Sequence, residues 1–327
     1  MESFNSRIIL GIDCGATKIL AQPVSIDPIS KNVSPVDNLV EMNYEIHPDW
    51  DPDFIPVDLD IQRKEFSEKT INLTESEKKQ GTVIINSIRK VISNIDSTFI
   101  SISENIKNEW DLAICFPGIK NEDGINIMAN GPRIPDLNNK IPGIKKIYND
   151  SDCCVLGEWK SAIGKLLNCE NAIYIGGGTG IADGIILKGE LINFNIRNDI
   201  KRSWDLIMEN GQSVESLLSP KGMINQWNDS HSEKVYTLSE LNKKKYAQNI
   251  FKKSADAFSF LIQDRNSFFQ QYDIGIEKIV IGQRLGENLA SDDSLLKELF
   301  ERKTTIPIHY STDRRTAALG AAWKKGC

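Results

Sequence analysis

The stretch Arg7-Ile8-Ile9-Leu10-Gly11-Ile12-Asp13-Cys14-Gly15-Ala16-Thr17-Lys18-Ile19-Leu20-Ala21 decides how this chain is read. An apolar run enters a turn made of an acid, a glycine, a hydroxyl and a lysine, and a second apolar run leaves it. Such a turn can set backbone N–H groups and a hydroxyl against a phosphate while a carboxylate faces a metal ion. Ala172-Ile173-Tyr174-Ile175-Gly176-Gly177-Gly178-Thr179-Gly180-Ile181-Ala182-Asp183-Gly184-Ile185-Ile186-Leu187 repeats the design. Two such turns, one in each half, predict a duplicated architecture with phosphate held between the halves.

The 327 residues are enough for about two domains, each with its own core. With 40% hydrophobic and 26% charged residues, the composition is that of a globular protein. The net charge of −6 argues against general binding to nucleic acid or anionic membranes. Residues 1–7 are polar and carry an acid, and Ile8 to Ile12 is too short for a signal-peptide core. No stretch approaches the ~18 apolar residues of a membrane span. The expectation is a cytoplasmic protein. Six cysteines include no C-x-x-C pair, and the three histidines lie far from them in sequence. A zinc site is therefore not expected, and the thiols read as core residues.

Apart from the two hairpins, a strand is predicted over 39–46 and an irregular acidic loop over 47–56. Asp49, Asp51, Asp53 and Asp60 match positions 1, 3, 5 and 12 of a calcium loop. Phe54 stands where that loop needs glycine, and Pro52 and Pro56 interrupt it, so a surface loop or lid is the better reading. Apolar residues at three- and four-residue spacing predict a helix over 75–95. Strands are expected at 110–116, 145–150, 278–282 and 305–310. Helices are expected at 151–167, capped by Ser151 or Asp152, at 213–219, over much of 238–272, at 287–290 and at 314–325. Alternating strands and helices in both halves give an α/β class.

A Walker A loop needs G-x-x-x-x-G-K-[ST], which the chain lacks. A Rossmann fingerprint fails too, because Ile181 and Asp183 follow Gly180. The paired hairpins fit a third design, in which one turn from each of two similar domains touches the phosphates. Here the chain resembles the sugar kinase, heat-shock protein and actin superfamily, and within it the ROK family (repressors, open reading frames, kinases). The resemblance runs through Gly11-Ile12-Asp13-Cys14-Gly15-Ala16-Thr17-Lys18, Cys115-Phe116-Pro117-Gly118, and Asn149-Asp150 followed by Gly157-Glu158. It continues through Gly178-Thr179-Gly180-Ile181, Ile279-Val280-Ile281-Gly282 and Ala317-Ala318-Leu319-Gly320-Ala321-Ala322.

The resemblance implies an actin-like (ribonuclease H-like) two-domain ATPase fold with a nucleotide and sugar cleft between the domains. Residues 1–120 with 312–327 would form the N-terminal domain and 121–311 the C-terminal one. It implies an ATP- and Mg²⁺-dependent, glucokinase-like transfer of phosphate to a hydroxyl of a hexose or related polyol, with an amino sugar or a cyclitol as other acceptors. Asp150 would be the general base and Asp13 would approach Mg²⁺ through water. Gly11, Gly15, Thr17, Lys18, Gly178, Thr179, Gly180 and Gly282 would lie at ATP, the second turn through its backbone N–H groups. Asn149, Asp150, Asp205 and Glu215 would meet the sugar. Arg133 stands in the segment of a family sugar contact; an arginine there can meet a carboxylate, a phosphate or simply a neighbouring acid. Asp183 replaces a family glycine, as a polar strand residue or a second metal-side carboxylate. The family's cysteine-rich zinc loop is absent. Homodimers are common in the family. A non-catalytic sugar-sensing regulator is the other expectation, although only six residues precede the first strand, where family repressors carry a DNA-binding helix-turn-helix.

Overall fold

The computed structural model describes residues 7–100, 110–291 and 294–327. The polar segment 1–6, read above for the absence of a signal core, lies outside them. The chain forms two compact units, Met1–Ile163 with Arg315–Cys327, and Gly164–Arg314. The first unit thus runs past the 1–120 segment assigned above. The reason is the strand before Asp150, which pairs into the first sheet.

The first unit begins with β1 (Arg7–Cys14), β2 (Lys18–Ile26), β3 (Val33–Pro35) and β4 (Val40–Asn43). Then come α1 (Leu59–Glu68), α2 (Glu75–Ile100), β5 (Leu112–Phe116), the small hairpin β6 (Ile119–Lys120) and β7 (Ile125–Ile127), α3 (Leu137–Lys140), β8 (Ile147–Asn149) and α4 (Asp150–Lys160). The second unit holds β9 (Ala172–Gly177), β10 (Ile181–Leu187), β11 (Glu190–Leu191), α5 (Val214–Leu218), α6 (Pro220–Ser230), α7 (Leu238–Asn242) and α8 (Gln248–Gln270). It ends with β12 (Lys278–Gly282), α9 (Gln283–Leu289), α10 (Leu295–Glu301) and β13 (Ile308–Tyr310). The last helix, α11 (Thr316–Gly326), returns to the first unit.

The two sheets share one plan. The first runs β3-β2-β1-β5-β8, with β4 also on β2, and the second runs β11-β10-β9-β12-β13. In each, the first three strands are antiparallel. The next two join in parallel. The duplication expected from the two glycine turns is therefore present strand for strand. In the first sheet the carboxyl ends of β1, β5 and β8 fall together: Asp13 pairs with Cys115, and Cys115 with Tyr148. Loops at the carboxyl ends of parallel strands are where α/β sheets place ligands.

Glycine allows the first unit to close on itself. A Cβ on Gly157 of α4 would overlap the carbonyl of Thr316, and one on Gly320 of α11 would overlap that of Cys153. A Cβ on Gly11 would overlap the Ala318 carbonyl. The small residues of α11 thus let its backbone lie directly on α4 and β1. The second core packs Phe258 of α8 on Phe300 of α10, with ring centroids 4.4 Å apart.

Several elements differ from expectation. α4 begins at Asp150 because the cap is Asn149, whose extended backbone lets its side chain accept from the Asp152 N–H at 3.1 Å. Ser151 and Asp152 are inside the helix, and the helix stops at Lys160 rather than Leu167. α1, α6 and α10 were not expected; Asp58, Ser219 and Ser294 cap them. The acidic loop is tied to α2 by Gln80, which exchanges hydrogen bonds with the Asp51 backbone.

Candidate active site

The two acids that the sequence singled out first meet in the first unit. Asp13 ends the apolar part of β1, and Asp150 is the first residue of α4. Because Asn149 caps that helix, the Asp150 carboxylate is not needed as the cap. Burial, reinforced by the negative charge of Asp150, pushes the Asp13 carboxyl up to about 7. Burial also raises Asp150, opposed by the Lys120 ammonium and by backbone N–H groups of Ser151 and Asp150 itself. The Cys115 thiol, level with Asp13 on the next strand, donates to Asp13 Oδ1 at 3.6 Å.

Lys120 is the member that sequence reasoning missed. It lies two residues beyond the Pro117-Gly118 turn, and its Nζ donates to the Gly118 carbonyl at 2.6 Å. Burial lowers its pKa and the Asp150 charge acts against that. A lysine leaving a turn at the end of a parallel strand was the available signal. Two repelling, half-buried carboxylates beside one ammonium form a donor set short of positive charge. That suits a hard divalent cation such as Mg²⁺, which takes one or two carboxylates and completes its shell with water and phosphate oxygens. Among the described residues no group of three or more His, Cys, Asp or Glu side chains converges as a dedicated metal cage.

The first turn is a tight hairpin. Gly15 N–H donates to the Lys18 carbonyl at 2.9 Å, and the exposed Thr17 accepts from Tyr44 N–H through its carbonyl at 3.0 Å. Lys18 pairs with Glu41 at 2.7 Å. Gly11 is a packing glycine beneath α11.

The second unit builds its own turn at the carboxyl end of β9. Gly178 N–H donates to the Gly180 carbonyl at 3.1 Å. Ile181 N–H donates to Glu215 Oε1 at 3.2 Å. The expected cradle of N–H groups therefore narrows to Thr179 and Gly180, and Gly178 serves to close the turn. A Cβ on Gly180 would overlap Glu215 Oε1, so the glycine admits the carboxylate. Gly282 pairs with Gly176 and makes room for the Tyr174 hydroxyl.

The remaining acceptor candidates separate. Arg133 is 1% exposed and its guanidinium is filled by Glu77 (2.7 and 2.8 Å), by Glu65 and by the Asn72 carbonyl at 3.1 Å. This corrects the substrate-contact expectation: Arg133 ties α1 and α2 to the 131–135 segment. Glu77 also closes a capping box with Thr74 at the start of α2. Asp183 is the polar strand residue of the two alternatives, buried against Arg265 at 2.7 Å and accepting from Ser203 N–H at 2.9 Å. Asp205 is exposed in the short turn Ser203–Asp205. Leu206 accepts from Val214 N–H at 2.9 Å, which leads the chain back to Glu215.

No protein-family model matches this chain. No curated protein matches it either. Solved structures do. A ROK hexokinase from Thermus thermophilus aligns over 97% of each chain, with TM-score 0.60 at 16% identity. A ROK-family glucokinase from Streptomyces griseus, solved with glucose and AMPPNP, aligns over 97% of this chain and 98% of its own, with TM-score 0.60 at 14% identity. A ROK-family transcriptional regulator, described as a homologue of the E. coli MLC protein, aligns over 97% of this chain and 77% of its own, with TM-score 0.58 at 14% identity. The chain has the fold of these ROK-family structures.

Proposed function

We propose that this protein is an ATP-dependent kinase that phosphorylates a hydroxyl of a hexose or related sugar, in the manner of a ROK glucokinase. The observation that carries the reading is Asp150: a half-buried carboxylate spared the capping of its own helix, beside Asp13 and Lys120. Phosphoryl transfer to an alcohol needs a group that orients the hydroxyl and takes its proton as the bond to phosphorus forms. Burial makes Asp150 a stronger base than an exposed aspartate, and Lys120 offsets the cost of its charge. Asp13 would hold Mg²⁺, through water, and that ion would neutralise the phosphate oxygens of ATP. Thr17 and Lys18 on one turn, and the Thr179 and Gly180 N–H groups on the other, are suited to phosphate oxygens. Asn149, Asp205 and Glu215 are the candidates for the acceptor's hydroxyls. A cytoplasmic location goes with this reading, and no helix among the described residues is long and apolar enough to cross a membrane.

The regulator among the structural matches supports a second reading, a sugar-sensing protein without turnover. The Asp13–Asp150–Lys120 cluster favours the first. ADP release with Mg-ATP and a panel of hexoses, amino sugars and cyclitols separates the two. Sugar-dependent turnover is expected, and Asp150→Asn should lower kcat at least a hundredfold. Turnover no faster than the water background with every acceptor would exclude the kinase.

A further inference from the structure

The small hairpin after β5 carries its side chains in an inverted order. Ile119 is 50% exposed, whereas its neighbour Lys120 is half-buried. Adjacent strand residues point to opposite faces, so the hairpin turns an isoleucine to solvent and a lysine inward. Two backbone features hold it so. Gly118 has φ 85°, and a Cβ there would overlap the Ile127 carbonyl, so the turn requires glycine. The pairing then shifts register, with Ile119 opposite Ile127 but Lys120 opposite Ile125. A β-bulge of this kind re-aims a side chain.

Strand register says where that lysine lies. Phe116 of β5 pairs with Asn149 of β8, so the Pro117-Gly118 turn leaves the sheet beside Asp150. The Asp150 charge acts on Lys120, yet the ammonium forms no ion pair among the described residues. Its one hydrogen bond goes to the Gly118 carbonyl, which leaves two of its three N–H groups. Lys18, Lys324 and Lys325, half-buried in the same unit, each meet a carboxylate, at 2.7, 3.0 and 3.1 Å. A cation withdrawn from water without a counter-ion is costly. Arg133 cannot serve an anionic acceptor in its place, because Glu77 and Glu65 fill its guanidinium.

We propose that the acceptor is a sugar acid: Lys120 binds its carboxylate while Asp150 takes the proton of the hydroxyl that is phosphorylated. The bond from that oxygen to phosphorus forms as the bond to ADP breaks. The inference rests on the kinase reading above and names its substrate class. One ammonium matches one carboxylate, whereas a doubly charged phosphate group would add repulsion from Asp13 and Asp150. A lysine that only balanced Asp150 would serve every acceptor alike.

Steady-state kinetics of the full chain with Mg-ATP test this, using the glucose, galactose and mannose series, each as hexose, hexonate, hexuronate and hexose 6-phosphate. In the best series an acid should exceed its parent hexose at least tenfold in kcat/KM, the scale of one hydrogen bond between charged groups. The acid's KM should rise with salt and the hexose's should not. Lys120→Met should lower the acid-to-hexose ratio of kcat/KM at least tenfold, chiefly through KM, and Lys120→Arg should keep most of it. Equal kcat/KM for acid and hexose, a preference for the 6-phosphate, or an unchanged ratio in Lys120→Met would overturn the sugar acid and leave the kinase reading standing. If Lys120→Met does not fold, the acid preference and its salt dependence in the parent decide. Turnover with no acceptor at all would overturn both.

Discussion

Asp13 is held near neutrality by its surroundings, and this has a consequence for stability. Its carboxyl titrates at about 7 in the folded protein against an ordinary 3.8. The folded state therefore binds this proton more tightly than the unfolded chain does, and stability is lost as pH rises from about 4 to 7. Asp13→Asn removes the buried charge. In metal-free protein it should melt several degrees above the parent at pH 8, with the gap closing below pH 4. A tenfold difference in proton affinity between the folded and unfolded chain is worth about 1.4 kcal/mol at most, and Mg²⁺ with ATP should narrow the gap. Equal melting temperatures at pH 8 would contradict this environment for Asp13. Asp13 and Asp150 were both legible in the sequence, because each follows an apolar strand and sits in a recognisable motif. Lys120 was marked only by its place just after the Pro117-Gly118 turn, and Asp150, whose charge acts on it, lies 30 positions away. Arg133 was legible as unusual, but its glutamate partners lie 56 and 68 positions away.

Among the elements, the contact of α4 with α11 was the most readable. The run Ala317-Ala318-Leu319-Gly320-Ala321-Ala322 signals backbone approach, and Gly157 is its counterpart. Gly157→Ala and Gly320→Ala each place a methyl on a carbonyl and should cost about 1–3 kcal/mol, read as a fall in the denaturation midpoint. Unchanged midpoints would show that the helices part without penalty. The cap of α4 was harder to read, because Asn149, Ser151 and Asp152 are all acceptable caps and only the extended backbone at Asn149 selects it. In the second unit, the Asp183–Arg265 pair holds Ser203 at the start of the segment that leads to Glu215. Both side chains are fully buried. Arg265→Met should destabilise by about 3–5 kcal/mol, while Asp183→Leu with Arg265→Met recovers most of the loss. Chemical denaturation distinguishes these outcomes, and a double variant no better than the single would show that the bond Asp183 accepts from Ser203 N–H and the bond Arg265 donates to the Lys201 carbonyl dominate.

For the whole molecule, two strand–turn–strand motifs announced a duplicated α/β chain, and the two sheets repeat one strand order. The short strands β3 and β11 carry little hydrophobic pattern and emerge only from pairing. Residues 121–163 join the first unit through β8 and α4, which no linker composition marks. The proposed acceptor region was least legible, because Glu215 is held by the Ile181 N–H of β10 and the turn containing Asp205 is tied to Asp183 of that strand through Ser203. Direct detection of the transferred phosphoryl group tests the role of Asp150 most squarely. Phosphorus NMR of Mg-ATP with the best acceptor should show a sugar phosphate accumulating with the parent. Asp150→Asn should bind Mg-ATP as well as the parent and form product at least a hundredfold more slowly. Product formed by Asp150→Asn at the parental rate would contradict the assignment of Asp150 as the base.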